Sequence, residues 1–250
     1  MQIIGKTDTG KKRSHNQDNF FAGKIGDVFL AVVCDGVGGA KGGDIASKTA
    51  IDSFVESVKT PAEDSCEYKD ILWAAAARAN NQIYKKTKEN KELYGMSTTV
   101  VACIIKDDKL HIINVGDSRL YVYNSADNKL TQLTKDHSLV QSLVDAGEIS
   151  KLEAATHPNK NVITRALGAE SEVDIDYYEL KLNGDRVILC SDGLYDFVNH
   201  ESIINILKEN PDAEKCAEHL VKRANENGGG DNITVVVYTT KTEFLFNEQL

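Results

Sequence analysis

Four aspartates stand beside strand-like apolar runs, where short carboxylate side chains could bind a cation. Asp35 follows "FLAVVC", Asp117 follows "LHIINVG", Asp192 follows "RVILCS", and Asp231 comes just before "ITVVVY". One such aspartate usually belongs to a turn, but four together would place several carboxylates at the lip of a sheet. Donor sets made only of oxygen select hard divalent cations, so we expect Mg²⁺ or Mn²⁺ rather than Zn²⁺.

The segment "RSHNQD" near the N-terminus adds an arginine, Arg13, and a further carboxylate, Asp18. The planar guanidinium of arginine suits a phosphate group. Carboxylates that bind two hard cations, together with an arginine for an anion, would equip a protein for metal-assisted hydrolysis of a phosphate ester. A hydroxide that bridges the two ions would attack in line, and no nucleophilic side chain would be needed.

The glycine cluster in "CDGVGGAKGG" has competing interpretations, because glycine after a strand serves turns, phosphate loops and metal sites alike. A dinucleotide fingerprint would need a third glycine where Lys41 stands, and a P-loop would need Gly-Lys-Ser/Thr. A haloacid-type aspartyl-phosphate enzyme would need an aspartate at Val37. A metal site that involves Asp35 fits better, given the other strand-end aspartates.

Composition narrows the class of protein. The chain has 250 residues, 41% of them apolar, and a net charge of −9, which disfavours nucleic acid or a membrane surface as a partner. No apolar run could span a bilayer or act as a secretory signal, so we expect a cytoplasmic protein. The odd number of cysteines and the lack of any CxxC pair make a disulfide framework improbable. The cysteines are Cys34, Cys66, Cys103, Cys190 and Cys216.

Histidines are not expected among the metal ligands, because the six of them show no HxxxH spacing. Four are assigned to surface or packing positions: His137, His157, His200 and His219.

The elements that must position the aspartates form an alternation of strand-rich and helical blocks. Two hairpins, "TTVVACIIKDDKLHIINVG" and "RLYVYNSADNKLTQLT", predict an antiparallel meander. Apolar spacing predicts helices in "DIASKTAIDSFVESV", "YKDILWAAAARANNQIYKKTKEN", "DHSLVQSLVDAGEISKLEAATHP" and "EKCAEHLVKRANENGGG". This grouping indicates an α+β protein with one domain over residues 1–240 and a C-terminal tail over residues 241–250.

The motifs, taken in order, resemble those of a known family. The series is "RSHNQD", "VVCDGVGG", "STTVVACII", "NVGDSRLYVY", "DHSLV", "NVITRALG", "LCSDGLYD" and "GGGDNITVVVY". Over about residues 4 to 238 it resembles the metal-dependent Ser/Thr protein phosphatases of the type-2C (PPM) family in their compact bacterial form. The resemblance implies a four-layer α-β-β-α sandwich with two central antiparallel sheets flanked by helices.

The resemblance also implies a set of metal ligands. Asp35 would bridge two Mn²⁺ or Mg²⁺ ions, the Gly36 carbonyl would bind the second ion, and Asp192 and Asp231 would complete the first. Bacterial members commonly hold a third, weaker ion, here between Asp117 and Asp192.

Other motif positions have roles outside the ligand set. Asp18 would orient a metal-bound water, and Arg13 would bind the substrate phosphate. Four residues are interpreted as structural: Thr98, Thr99, Ser118 and Arg119.

One position departs from the family pattern. Relatives with "DGHGG" have a histidine as candidate general acid where this chain has Val37, so the proton must come from elsewhere, with His15 as a candidate. Residues Gln141 to Asn161 correspond to the family's variable flap, with an ordinary helix–loop connection as the alternative.

The family further implies phosphoserine and phosphothreonine proteins as substrates, a Ser/Thr kinase as counterpart, and a monomer. A binding module that kept the fold but lost activity is the alternative. It should show substituted ligands, whereas all four ligand positions are retained here.

Overall fold

The computed structural model describes residues 1–61 and 67–240. Cys66 and the predicted tail lie outside the described residues, so the domain boundary at residue 240 stays a prediction. The strands are β1 (Gln2–Asp8), β2 (Asn19–Ile25), β3 (Val28–Cys34), β4 (Gly36–Val37), β5 (Ser97–Thr98), β6 (Val100–Lys106), β7 (Lys109–Val115), β8 (Arg119–Asn124), β9 (Lys129–Gln132), β10 (Asp176–Lys181), β11 (Arg186–Cys190) and β12 (Ile233–Thr239). The helices are α1 (Gly39–Lys59), α2 (Tyr68–Glu89), α3 (Leu139–Asp145), α4 (Lys151–Thr156), α5 (Asp192–Tyr195), α6 (His200–Glu209) and α7 (Ala213–Glu226), with a 3₁₀ turn at Lys91–Leu93.

Two five-stranded antiparallel sheets form the centre of the protein. Their strand orders are β1-β12-β11-β8-β9 and β10-β7-β6-β3-β2, and a short ribbon joins β4 to β5. Alternation in β3 shows how the layers are built, because Leu30 and Val32 pack towards α1 and α2 while Ala31 and Val33 face the other sheet. Helices α6 and α7 cover the outer face of the first sheet. The predicted four-layer α+β sandwich is therefore confirmed.

Both predicted hairpins form, but they do not make one meander. The β6–β7 turn contains Asp107 and Asp108 at φ 47° and 62°, the left-handed conformation of a tight hairpin. The β8–β9 pair lies in the other sheet. The chain crosses between the sheets at Gly116, whose φ of 107° turns it and whose missing Cβ would lie 2.6 Å from Thr99 Cγ2. The meander prediction was wrong because apolar alternation does not reveal which sheet a hairpin joins.

The four predicted helical segments are confirmed, and α1 begins earlier than expected, within the glycine cluster. In the two large sheets, three strands had no prediction, β1, β2 and β10, and all three lie at sheet edges where burial is only partial. Within residues 1–61 and 67–240, no helix has the length and apolar character needed to cross a membrane. The cysteines in the described part are free and buried, as expected without a disulfide framework.

Candidate active site

A cavity of about 230 Å³ lies where strand ends of the two sheets meet, and we call it the central cavity. The charged and glycine residues predicted from the motifs line it: Arg13, Asp35, Gly36, Asp117, Asp192 and Asp231. The structure therefore brings together six of the seven predicted site residues on one surface. The seventh, Asp18, is 5% exposed and lies behind that surface.

Asp35 is held through its backbone at the end of β3. Its amide donates to Thr99 Oγ1 at 3.0 Å, and its carbonyl accepts from the Thr99 amide and Thr98 Oγ1, both at 2.9 Å. Thr99 Oγ1 also bonds Ser118 Oγ at 2.7 Å, which ties Asp35 to the crossing between the sheets. These contacts agree with the structural role predicted for the two threonines and the serine.

Gly36 sits in a space that admits no side chain. A Cβ there would lie 2.1 Å from the carbonyl oxygen of Gly43 and 2.6 Å from that of Gln17. The backbone beside Asp35 is thus packed between the start of α1 and the segment before β2. This close approach explains the glycine without a nucleotide-binding role.

Asp192 and Asp18 each have a buried oxygen without a hydrogen-bond partner in the described part of the chain. Ser191 Oγ donates to Asp18 Oδ2 at 2.7 Å, while Asp18 Oδ1 and Asp192 Oδ1 have no partner. Buried carboxylate oxygens normally find a donor or a cation. These two unpartnered oxygens are what a cation or an ordered water would satisfy.

The carboxylates of the site strongly perturb one another. Burial, followed by repulsion from Asp18 and Asp192, raises the pKa of Asp35 well above its usual value. The pKa of Asp192 is raised well above its usual value by burial and then by Asp117. Burial also raises the pKa of Asp18 and that of Asp117 to about 6. Bound divalent cations would reverse this cost, because they supply the missing opposite charge.

The donor chemistry fits Mg²⁺ or Mn²⁺, since the side chains offer only oxygen. Within residues 1–61 and 67–240, however, no three His, Cys, Asp or Glu side chains form a group that could hold an ion. Asp231 Oδ2 accepts a hydrogen bond from Arg13 Nη2 at 2.7 Å. Backbone carbonyls and waters would have to complete the coordination, as the predicted role of Gly36 requires.

Arg13 is 54% exposed and reaches the cavity from the loop between β1 and β2. Its hydrogen bond with Asp231 raises the pKa of the guanidinium, which therefore stays charged. The predicted phosphate-binding residue thus lies at the cavity with its charge directed to a carboxylate.

Asn232 holds this loop in place, and the sequence reasoning did not identify it. Its Oδ1 accepts from the Gln17 amide at 2.8 Å, and its Nδ2 donates to the carbonyls of Thr9 and His15, both at 2.9 Å. The only available signal was its place directly after Asp231. Asn232 directly precedes β12, so these hydrogen bonds hold the Arg13 loop against the start of that strand.

Arg119 has the structural role predicted for it. Its guanidinium donates to both oxygens of Asp136, at distances from 2.6 to 3.0 Å, and lies 3.5 Å from the ring centroid of Tyr195. The Tyr195 hydroxyl in turn donates to the Asp117 carbonyl at 3.1 Å. The arrangement fixes the backbone of Asp117.

The histidines contribute no group to the central cavity lining in the described residues. His15 is exposed, and its carbonyl is what bonds Asn232. His137 is buried, as the packing assignment predicted, with Nδ1 accepting from the Gly116 amide at 3.1 Å. Val37 lines the cavity and is 40% exposed.

The predicted flap forms α3 and α4 beside the cavity. Gly147 at φ 72° turns the chain between the two helices, and Asn161 lines the cavity. Lys160 Nζ donates to Asp196 Oδ2 at 2.5 Å, which holds the end of the segment against the body of the protein. A gating role for this segment stays a prediction.

These features define a class: a two-sheet sandwich whose strand ends form a carboxylate-lined cavity with an arginine at its mouth. Known proteins show the same arrangement of sequence and fold. A family model described as Protein phosphatase 2C matches residues 7–228. The serine/threonine phosphatase stp of Listeria welshimeri is 38% identical over 247 residues, which covers 95% of this chain and 95% of that protein.

Solved structures of bacterial serine/threonine phosphatases have a similar fold. The crystal structure of the Mycobacterium tuberculosis serine/threonine phosphatase PstP/Ppp has a TM-score of 0.88 at 35% identity, with 96% of this chain and 99% of that chain covered. The catalytic domain of PstP in complex with 2 manganese ions has a TM-score of 0.82 at 34% identity, with 94% and 96% covered. The chain therefore belongs to the protein phosphatase 2C family and is a serine/threonine protein phosphatase of that type.

Proposed function

We propose that the protein hydrolyses phosphoserine and phosphothreonine monoesters on proteins with two Mn²⁺ or Mg²⁺ ions in the central cavity. A third, weaker ion would lie beside Asp117 and Asp192. The observation that supports this proposal is the convergence of Asp35, Asp192 and Asp231, from three separate strand ends, on one cavity with Arg13.

The residues that would hold the two ions are Asp35, Asp192 and Asp231, together with the Gly36 carbonyl. When bound, such cations activate a water for attack and neutralise the phosphate oxygens. The raised carboxylate pKa values and the unpartnered oxygens of Asp18 and Asp192 support this assignment. The PstP structure with manganese supports the choice of metal.

Arg13 would bind the non-bridging oxygens of the phosphate. Its guanidinium must first leave Asp231, and its half-exposed position allows that turn. Asp18 Oδ1 would accept a hydrogen bond from the attacking water, because Ser191 already fixes the other oxygen of that carboxylate. With Val37 in the wall, the leaving alkoxide would take its proton from water.

The test is turnover of p-nitrophenyl phosphate and of a phosphothreonine peptide by the purified protein with Mn²⁺ or Mg²⁺. We expect hydrolysis of both, loss of turnover in EDTA, and no inhibition by okadaic acid. Absence of turnover with any divalent ion would contradict the proposal and would favour a binding module.

We further propose a cytoplasmic monomer that opposes a cognate Ser/Thr kinase and binds neither nucleic acid nor membranes. The net charge of −9 supports the last point. Comparison of the phosphoproteomes of a deletion strain and its parent would identify the substrates, which should carry kinase-added phosphoserine or phosphothreonine.

A further inference from the structure

A second cavity of about 610 Å³ adjoins the central cavity, and we call it the acidic side cavity. Val37 and Ile163 line both cavities. The two are therefore parts of one continuous surface. A peptide whose phosphorylated residue occupies the central cavity has its neighbouring residues beside this aliphatic wall.

Three exposed carboxylates define the charge of the acidic side cavity: Glu170, Glu172 and Asp174. Within the described part of the chain, none of them has a hydrogen-bonded or ion-paired partner for its side chain. Arg165 also lines this cavity, but its Nη1 donates to Asp176 Oδ1 at 3.0 Å. The described lining of this cavity therefore carries a net negative charge beside the central cavity.

The segment that carries these carboxylates is held by its backbone. Asn80 is buried, its Oδ1 accepts from the Gly168 amide at 2.7 Å, and its Nδ2 donates to the carbonyls of Glu170 and Ser171, both at 3.1 Å. Further along, Ile175 packs into the core with α1 and α2. The acidic side chains themselves take no part in this anchoring, so their replacement leaves the wall in place.

We propose that the acidic side cavity binds a lysine or arginine side chain that lies near the phosphorylated residue of the substrate protein. This inference rests on the proposed function, because the phosphorylated residue must occupy the central cavity. The occupant follows from charge complementarity with three unpaired carboxylates and from the shared wall at Val37 and Ile163. The cavity thereby gives the phosphatase a preference for basic sequences.

The test uses phosphothreonine peptides on an alanine background, with one arginine placed in turn at each of the four positions on either side. For the wild-type protein we expect kcat/KM about fivefold higher than for the all-alanine peptide at one or more positions, a size typical of partly exposed ion pairs. The preference should shrink as salt is added. In the variant E170Q/E172Q/D174N the ratio should fall to about one.

A matched control changes three exposed carboxylates elsewhere that have no side-chain partner among residues 1–61 and 67–240, in the variant D52N/E89Q/E209Q. It alters the net charge by the same amount and should keep the arginine preference. Equal kcat/KM for all peptides in the wild type, or a preference that persists in E170Q/E172Q/D174N, would overturn the inference while p-nitrophenyl phosphate turnover upholds the proposed function. Absence of turnover with every substrate would overturn both.

Discussion

The central cavity and the acidic side cavity share a wall but differ in how their carboxylates are solvated. Asp117 in the central cavity is 7% exposed and Asp18 behind its wall is 5% exposed, whereas Glu170 and Glu172 face water. Burial raises the pKa of each buried carboxyl, so charge there is costly without a cation. Exposed carboxylates remain hydrated and bear no such desolvation cost, so they can bind a cationic side chain reversibly. The same chemical group would thus serve lasting ion binding in one proposed site and transient recognition in the other.

The largest expected effect comes from removing one buried charge. We expect Asp192→Asn to lower turnover by roughly a hundredfold or more, because a cation that would stabilise transition-state charge loses a ligand. Without metal, the variant should melt at a higher temperature than the wild type, because repulsion with Asp117 is gone. The rise in melting temperature that Mn²⁺ gives the wild type should be much reduced.

The control is Asp52→Asn, which makes the same substitution at an exposed position on α1. Its turnover and its response to Mn²⁺ should match the wild type. If Asp192→Asn kept full activity, the assignment of the central cavity as the metal site would be wrong.

Arg13→Ala tests the anion-binding side of the central cavity. We expect KM for a phosphopeptide to rise, with about 1–3 kcal/mol of binding lost, because a charge-assisted contact disappears. Arg13→Lys should recover part of the loss, since it keeps the charge but not the planar fork. Steady-state kinetics measure both, and an unaltered KM in the alanine variant would refute the role.

Asn232→Ala should destabilise the protein by about 1–3 kcal/mol, because three backbone groups of the Arg13 loop lose a buried partner. Urea unfolding in EDTA measures this directly. Asn81 is exposed on α2, and its alanine variant should stay within about 0.5 kcal/mol of the wild type. Equal stability of the two variants would mean that Asn232 does not anchor the loop.

The smallest effect concerns His137, a buried titratable group outside both cavities. Burial lowers the pKa of His137. The hydrogen bond with Asp176 acts in the opposite direction, and the positive charge of Arg165 lowers the pKa further. The unfolded chain therefore takes up the proton first as pH falls. The stability that neutral His137 provides is complete above its unfolded pKa of about 6.5 and is lost as pH falls from there towards the lower folded value.

The raised pKa values of Asp18 and Asp117 add stability as pH falls, and the lowered pKa of His111 removes some, so the test is the difference between variant and wild type. Between pH 7 and pH 5, His137→Gln should gain stability relative to the wild type in urea unfolding in EDTA, because it lacks the contribution of His137 that is lost as pH falls. Exposed His200 provides the control, and His200→Gln should keep the full wild-type slope. An unchanged slope in His137→Gln would show that its pKa is not depressed.

Strand ends were the part of the site that the sequence could predict. An apolar run followed by Asp-Gly marks both the strand and its end, as at Asp35 and Asp192. The chain passes from one sheet to the other at Gly116, which has a positive φ and packs closely against Thr99. Alternation along the chain carries no such information, so the crossing was missed.

Long-range hydrogen bonds were the part that the sequence could not reveal. Asn232 bonds residues more than 200 positions away, and Arg13 meets Asp231 across a similar separation. Edge strands such as β10 lack a continuous apolar run, since half of such a strand faces water. The acids before β10 alternate with Val173 and Ile175, but only the structure shows that they face a cavity.

The pairing of β1 with β12 has a consequence for biosynthesis. Gln2 lies opposite Thr239, and Asp8 lies opposite Ile233. Strand β1 therefore cannot pair until β12 has been synthesised. Contacts of such sequence separation form slowly, because the loop between them must close first. Until residues 231 and 232 have left the ribosomal exit tunnel, Arg13 has neither Asp231 nor Asn232 to anchor it. We therefore expect a nascent chain to gain its activity only after β12 has paired with β1.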